Sequence, residues 1–185
     1  GVYIDCTFGG GGYSKRLLKF SKTKVIALDR DKFIINISKE LEKKYPNRFF
    51  FHRKKFSEVN TVAGDQSVDA VVFDLGLSSI QLNNLARGFS FNSKETLDMS
   101  MGLSTISAEE VVNNFSEQRL KSIIKILGEE KDASRIAKNI IKTRLVKKIT
   151  RVDQLVAIIE KSKKKNYTNK INPSTKTFQA LRIFV

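Results

Sequence analysis

The sequence is poor in the residues that build metal sites and covalent cross-links. It holds one Cys and one His in 185 residues. A lone Cys excludes a disulfide framework, and one Cys with one His cannot complete a zinc site, so no metal is expected. No apolar run is long enough to span a bilayer, and no secretory signal precedes the strand-like VYID at positions 2–5. No internal repeat is present. No Gly-Lys-Ser/Thr follows the glycine-rich stretch, which excludes a Walker-type phosphate loop. These absences point away from the membrane and toward a reducing compartment. That is the cytoplasm of a bacterium or, in a eukaryote, the mitochondrion or another organelle.

What the chain has in excess is positive charge. Its formal net charge is +15. The excess is local: residues 119–170 carry 16 Lys/Arg and 5 Asp/Glu, a net of +11, which leaves +4 for the rest. A solvated basic surface is the plain reading. A polyanion partner, most often nucleic acid, is the functional one, because basic side chains release counterions from phosphates. Concentration in one segment favours a dedicated binding surface.

At 41% hydrophobic residues the chain can bury a core of ordinary domain size. Short apolar runs at Val2–Ile4, Lys24–Leu28, Phe49–Phe51 and Asp69–Phe73 read as strands, and helical spacing separates them, as at Phe33, Ile34, Ile37 and Leu41. This predicts an α/β domain with a parallel sheet flanked by helices. Asp5, Asp29 and Asp74 stand at strand ends, where open α/β sheets bind ligands, so the three should converge. Residues 77–104 read as a long functional loop. Helices follow: a capping box at Ser107–Glu110, a cap at Ser116, and a stripe of Ala133, Ile136, Ala137, Ile140 and Ile141. Thr150–Asp153 reads as another helix start, KSKKKNYTNK (161–170) as an exposed basic linker able to touch phosphates, and Asn172–Ser174 as the opening of a last helix. The predicted division is a core of 1–92 and 173–185 and a helical insertion over 93–172.

DCTFGGGGYS (5–14) places four glycines after a strand-end acid. A linker is disfavoured by the flanking strand and helix signals. A dinucleotide loop remains possible, with Gly9, Gly11 and Asp29 as a loose fingerprint. Asp5 favours a third reading, because a carboxylate at that place repels a pyrophosphate but suits a cofactor carrying sulfonium and ammonium groups, such as S-adenosylmethionine. Asp29 would then accept the two ribose hydroxyls. The motif after the fourth strand, FDLGLSSIQLNNLARGFSF (73–91), offers acceptors for an amino group. An exocyclic amine on a base has its lone pair delocalised into the ring, and an acceptor at its N–H localises that pair for attack. Asp74, Ser78 or Ser79 fits the role, and Phe89 or Phe91 could stack on a flipped base.

DCTFGGGGYS, ALDRD, FDLGLSSIQL, ARGFSF, LDMSM, LGEEKDASRIAKNII and TKTFQALRIFV appear in the order seen in one family. The chain resembles the bacterial small-subunit ribosomal RNA cytosine-N4 methyltransferases and their mitochondrial relatives over nearly its whole length. The resemblance implies a class I Rossmann-like methyltransferase core with a helical insertion. It implies S-adenosylmethionine as cofactor, and as partner small-subunit rRNA or the assembled small ribosomal subunit. It carries Gly11, Gly12, Tyr13, Asp29, Phe56, Asp74 and Gln81 to cofactor binding, with Asp74 and Ser79 beside the amine, and makes 93–172 the RNA-recognition region. Tyr13 stands where the family has His, Ile80 where Pro is common and Ser100 where Arg is common. The family's N-terminal segment and everything after the TFQALRI helix are absent, so the resemblance is to a fragment with a truncated sheet. Two other readings are an RNA-binding or ribosome-assembly protein that keeps the fold without the activity, and a dinucleotide oxidoreductase.

Overall fold

A computed structural model describes residues 1–163 and 171–185. The chain divides into two compact units. The first holds residues 1–80 and 101–103, and the second 81–100 and 104–185.

The first unit is built on four parallel strands: β1 (Val2–Asp5), β2 (Lys24–Leu28), β3 (Phe49–His52) and β4 (Ala70–Val72), in the order β3-β2-β1-β4. The predicted strands are present, with ends displaced by at most a residue or two. Alternation along β2 shows why the sheet is covered on both sides. Val25 and Ala27 point into a cluster with Phe8, Leu18, Ile34, Leu41 and Phe49, which α1 (Gly12–Leu17) and α2 (Ile35–Lys44) help to close. Ile26 and Leu28 point the other way, to Ile4 and Cys6 and to Val59, Val62, Ala63 and Val68. Parallel strands need crossovers between them, and those crossovers cover both faces. Every strand therefore delivers its carboxyl end to the same edge, with β1 and β4 side by side there. Cys6 packs inside this layer, and burial pushes its thiol up to about 11, so it behaves as a small apolar residue.

The second unit is helical. After the short α3 (Ser79–Asn83), whose first residues belong to the first unit, come α4 (Ala108–Asn114), α5 (Glu117–Gly128), α6 (Ala133–Val146), α7 (Val152–Ser162) and α8 (Thr175–Phe184). Each long helix buries residues three or four apart: Leu120, Ile123 and Ile124 on α5, Ile136, Ala137 and Ile140 on α6, Leu155, Ile158 and Ile159 on α7. Ser107 caps α4 through the expected box with Glu110, and the Ser116 hydroxyl accepts the Arg119 N–H at the start of α5. Among the described residues no helix is long and apolar enough to cross a membrane.

Three expectations gain structural detail. The last helix, grouped with the core in the expected division, falls within the second unit, where α8 packs on α5 and a Cβ at Gly128 would collide with the Lys176 carbonyl, so only glycine permits that approach. The stretch 77–104, expected as a long functional loop, is packed in part. Leu97 and Met99 are buried, and Thr96 bridges Arg151 in antiparallel fashion. The basic run also begins differently from its expected exposed form. Lys161 lies in the last turn of α7, but the Lys163 side chain is buried and its Nζ lies 2.6 Å from Glu130 Oε2, the two side chains being 5% and 1% exposed. An ammonium placed there needs a carboxylate, because leaving it unpaired is costly. The rest of that run, 164–170, lies outside the described residues.

Removing one member of the Glu130–Lys163 pair leaves the other charge buried and uncompensated. Glu130→Ala should lower unfolding free energy by about 3–5 kcal/mol in chemical denaturation. A loss below about 1 kcal/mol would show that the pair is not desolvated as described.

Candidate functional site

At the carboxyl edge of the first unit's sheet, carboxylates hold loop backbone. Asp5 is fully buried. Its Oδ2 accepts the Ser14 hydroxyl at 2.7 Å and its Oδ1 the Thr7 N–H at 3.2 Å. Asp29, one residue past β2, accepts the Gly9 N–H at 2.8 Å through Oδ2 and the Asp31 N–H at 2.9 Å through Oδ1. Thr7 then reaches across to the end of β4, where its Oγ1 accepts the Asp74 N–H at 2.8 Å. The ends of β1, β2 and β4 are thus linked by one carboxylate contact, Gly9 to Asp29, and one hydroxyl contact, Asp74 to Thr7.

The glycine loop fits this frame for steric reasons. Gly11 has φ 75°, and a Cβ there would sit 2.9 Å from the Phe8 ring, so the turn into α1 requires glycine twice over. Its N–H bonds back to the Phe8 carbonyl at 2.7 Å. Gly12 is different: a Cβ added there would meet nothing within 4 Å, and the same holds at Gly76 past β4. Open space therefore lies beside the loop and beside the β4 motif. A Cβ on Gly9 would come within 3.2 Å of Ser78 Cβ, so the loop and that motif touch.

Asp5, Asp29 and Asp74 stand at one edge of the sheet, where Gly9 and Thr7 of the loop after Asp5 bond Asp29 and the Asp74 N–H. Burial, foremost, raises the pKa of Asp5, and the charge of Asp74 adds to the rise. Burial likewise raises that of Asp29, with Asp31 and Asp5 adding. The three differ in reach, however. Asp74 is exposed and Asp29 half-buried, whereas Asp5 faces inward. The expectation that Asp5 meets a cationic cofactor is corrected: its oxygens brace Ser14 and the Thr7 backbone, joining β1 to the first helix.

The other expected residues fall in several places. Tyr13, 48% exposed, and Gly12 lie at the open side of the loop. Phe56 is 50% exposed and meets Phe73 edge to face at 5.9 Å. Ser79 is exposed at the start of α3. Gln81 is buried and belongs to the second unit. Phe89 cannot stack on a base as expected, because it is fully buried. Phe91 packs edge to face on Phe178 at 6.1 Å.

Thr7 and Ser14 were not singled out by sequence reading. A signal existed: a Thr two residues after a strand-end Asp is the pattern of an Asx turn, repeated at Asp29–Asp31.

The residues present suit a ligand with a pair of hydroxyls. Each Asp29 oxygen has accepted one N–H and keeps a lone pair for another donor. A glycine turn over a parallel sheet, with acids at adjacent strand ends, fits the class I Rossmann-like methyltransferase fold. The sequence model of the MraW methylase family matches residues 1–185, and the chain belongs to that family. Similar proteins bear the name "Ribosomal RNA small subunit methyltransferase H". The one from Orientia tsutsugamushi (strain Ikeda) is 46% identical over 188 residues, which cover 100% of this chain and 60% of the relative. The one from Neorickettsia sennetsu is 42% identical over 186 residues, 100% of this chain and 62% of the relative. The one from Sulfurihydrogenibium azorense is 44% identical over 191 residues, 100% and 65%. The chain therefore spans less than two thirds of the length of these relatives.

Because its pKa is raised, Asp5 holds a proton more readily in the folded chain than in the unfolded one. The stability this contributes is fully present below the unfolded value, about 3.9. It is lost as pH rises through the raised folded value. Melting temperatures measured from acid to neutral pH should show this decline, and Asp5→Asn should flatten it. An identical profile in the variant would contradict the buried, titrating Asp5.

Proposed function

We propose that the protein containing this chain methylates N4 of a cytidine in the decoding region of small-subunit ribosomal RNA, with S-adenosylmethionine as donor. The observation that carries the reading is the joining of Asp29 to the glycine loop through Gly9, which sets an acceptor with spare lone pairs beside an open turn. The relatives' names and the family match favour an enzyme over a fold-retaining binding protein and over a dinucleotide oxidoreductase.

The cofactor would supply a methyl group activated on a sulfonium. The chain's own residues do the remaining work. Asp29 takes the ribose hydroxyls. The backbone at Gly11, Gly12 and Tyr13 lies against the cofactor, and Tyr13 offers a ring face where the family's His would stand. Phe56 packs on the adenine. Gln81 is assigned to the same pocket by the resemblance alone. Asp74, exposed and tethered through its N–H to Thr7, accepts a proton-bearing edge of the cytosine amine. Ser79 is a second acceptor at the start of α3. Acceptors placed this way localise the nitrogen lone pair, and their fixed orientation lowers the barrier without reorganisation.

The partner is small-subunit rRNA, free or within the assembled subunit. The net charge of +11 over residues 119–170 supports placing RNA recognition on the helical segment. Lys121, Lys125, Lys138, Lys142 and Lys147 are exposed there.

Mass spectrometry of small-subunit rRNA nucleosides tests the reading. N4-methylated cytidine should disappear when the gene is removed and return with the wild-type gene. Purified full-length Asp74→Asn should turn over about a hundredfold more slowly. Unchanged methylation in the deletion strain would refute the function, and unchanged turnover in the variant would refute the role of Asp74.

A further inference from the structure

Strand pairing accounts for most of the contact between the ends of β1 and β4, but not for its last member. The two strands run in register as far as Val72, which stands opposite Asp5. The Cys6 N–H then donates to the Val72 carbonyl at 3.0 Å. Two residues later the chain has left the ladder, and the Asp74 N–H meets a side chain instead, the Thr7 hydroxyl oxygen at 2.8 Å. Among the described residues this is the one hydrogen bond that Asp74 makes. Leu75, next in the chain, is exposed.

Thr7 itself is held from three directions. Its own N–H donates to Asp5 Oδ1 at 3.2 Å, and Asp5 is fully buried and tied to Ser14. Cys6 before it is fixed to the end of β4, and Phe8 after it donates its N–H to the Leu28 carbonyl, at the end of β2, at 3.0 Å. Cys6 and Phe8 are both buried. A β-branched side chain on a backbone so confined has few χ1 choices, so the Thr7 hydroxyl is a fixed acceptor.

The contact contributes little to the fold. Asp74 is exposed, and water can take its N–H if the hydroxyl is removed. What the contact determines is where the Asp74 backbone stands, and therefore where its carboxylate is carried. A reacting group displaced by about 1 Å can cost about a hundredfold in rate.

We propose that Thr7 is a positioning residue for methyl transfer: its hydroxyl oxygen sets the Asp74 backbone, and with it the carboxylate that accepts the amine of the base. The proposal rests on the reading of Asp74 as that acceptor. Thr7 acts through Asp74 and does not touch the reacting atoms.

Single-turnover methylation by the full-length enzyme tests it, with saturating tritiated S-adenosylmethionine and small ribosomal subunits from cells lacking the gene. Valine keeps the branching of threonine without the hydroxyl. Thr7→Val should be about ten- to a hundredfold slower, with the cofactor affinity and melting temperature of the wild type. Thr7→Ser restores the oxygen and should recover most of the rate. In an Asp74→Asn background, Thr7→Val should cost less than about twofold more, because the group it acts through is already altered. If the valine variant does not fold, Thr7→Ala carries the same expectations. A wild-type rate in the folded variant, a cofactor affinity that falls as far as the rate, or independent, multiplying losses in the double variant would overturn the proposal. No methylation by the wild type, or a wild-type rate in Asp74→Asn, would instead overturn the function or the role of Asp74 on which the proposal rests.

Discussion

The hydrogen bond from the Gly9 N–H to the Asp29 carboxylate is the contact on which the first unit's site depends. Parallel strands bring every βα loop to one edge of the sheet, but they do not fix how those loops stand relative to one another. Here a side chain from the end of β2 holds the backbone leaving β1, and Thr7 from that same backbone holds the residue after β4. Three loops distant in sequence become one surface through contacts each worth about 1–3 kcal/mol. The glycines then matter for two reasons: Gly11 makes the turn possible, and Gly12 leaves the space beside it open.

The three acids divide the labour by depth. Asp5 lies wholly inside, where its charge is costly and its hydrogen bonds are strongest, so it serves the fold. Asp29 lies between, with one lone pair committed to the Gly9 N–H, one to the Asp31 N–H, and two spare. Asp74 is at the surface and is fixed by its backbone, which leaves its carboxylate unencumbered. A ligand pocket needs acceptors that are both positioned and available, and the second and third acids meet those two demands.

Much of this was readable in the sequence because its causes are local. Strands announce themselves by apolar runs, and helix starts by Ser107 and Ser116 with their partners, since each signal acts within a few residues. The family motifs brought Asp29, Asp74 and the glycine loop into view together. What the sequence did not disclose depends on distant contacts. Asp5 reads as a ligand until its burial is known, and Phe89 as a stacking platform until the loop around it is seen packed. Lys163 looks like one more lysine in a basic run, and only the position of Glu130, 33 residues earlier, removes it from the surface. The packing of α8 against α5 brings the two helices together at Gly128, a close approach between segments far apart in the chain that no periodicity encodes.

The most direct test of the account is calorimetric titration of S-adenosylmethionine into the full-length protein and its Asp29→Ala variant, with circular dichroism to verify that both are folded. Loss of two hydrogen bonds to a charged acceptor should weaken affinity by about tenfold or more. A folded variant that binds the cofactor as tightly as the wild type would contradict the claim that Asp29 both sets the glycine loop and receives the ligand.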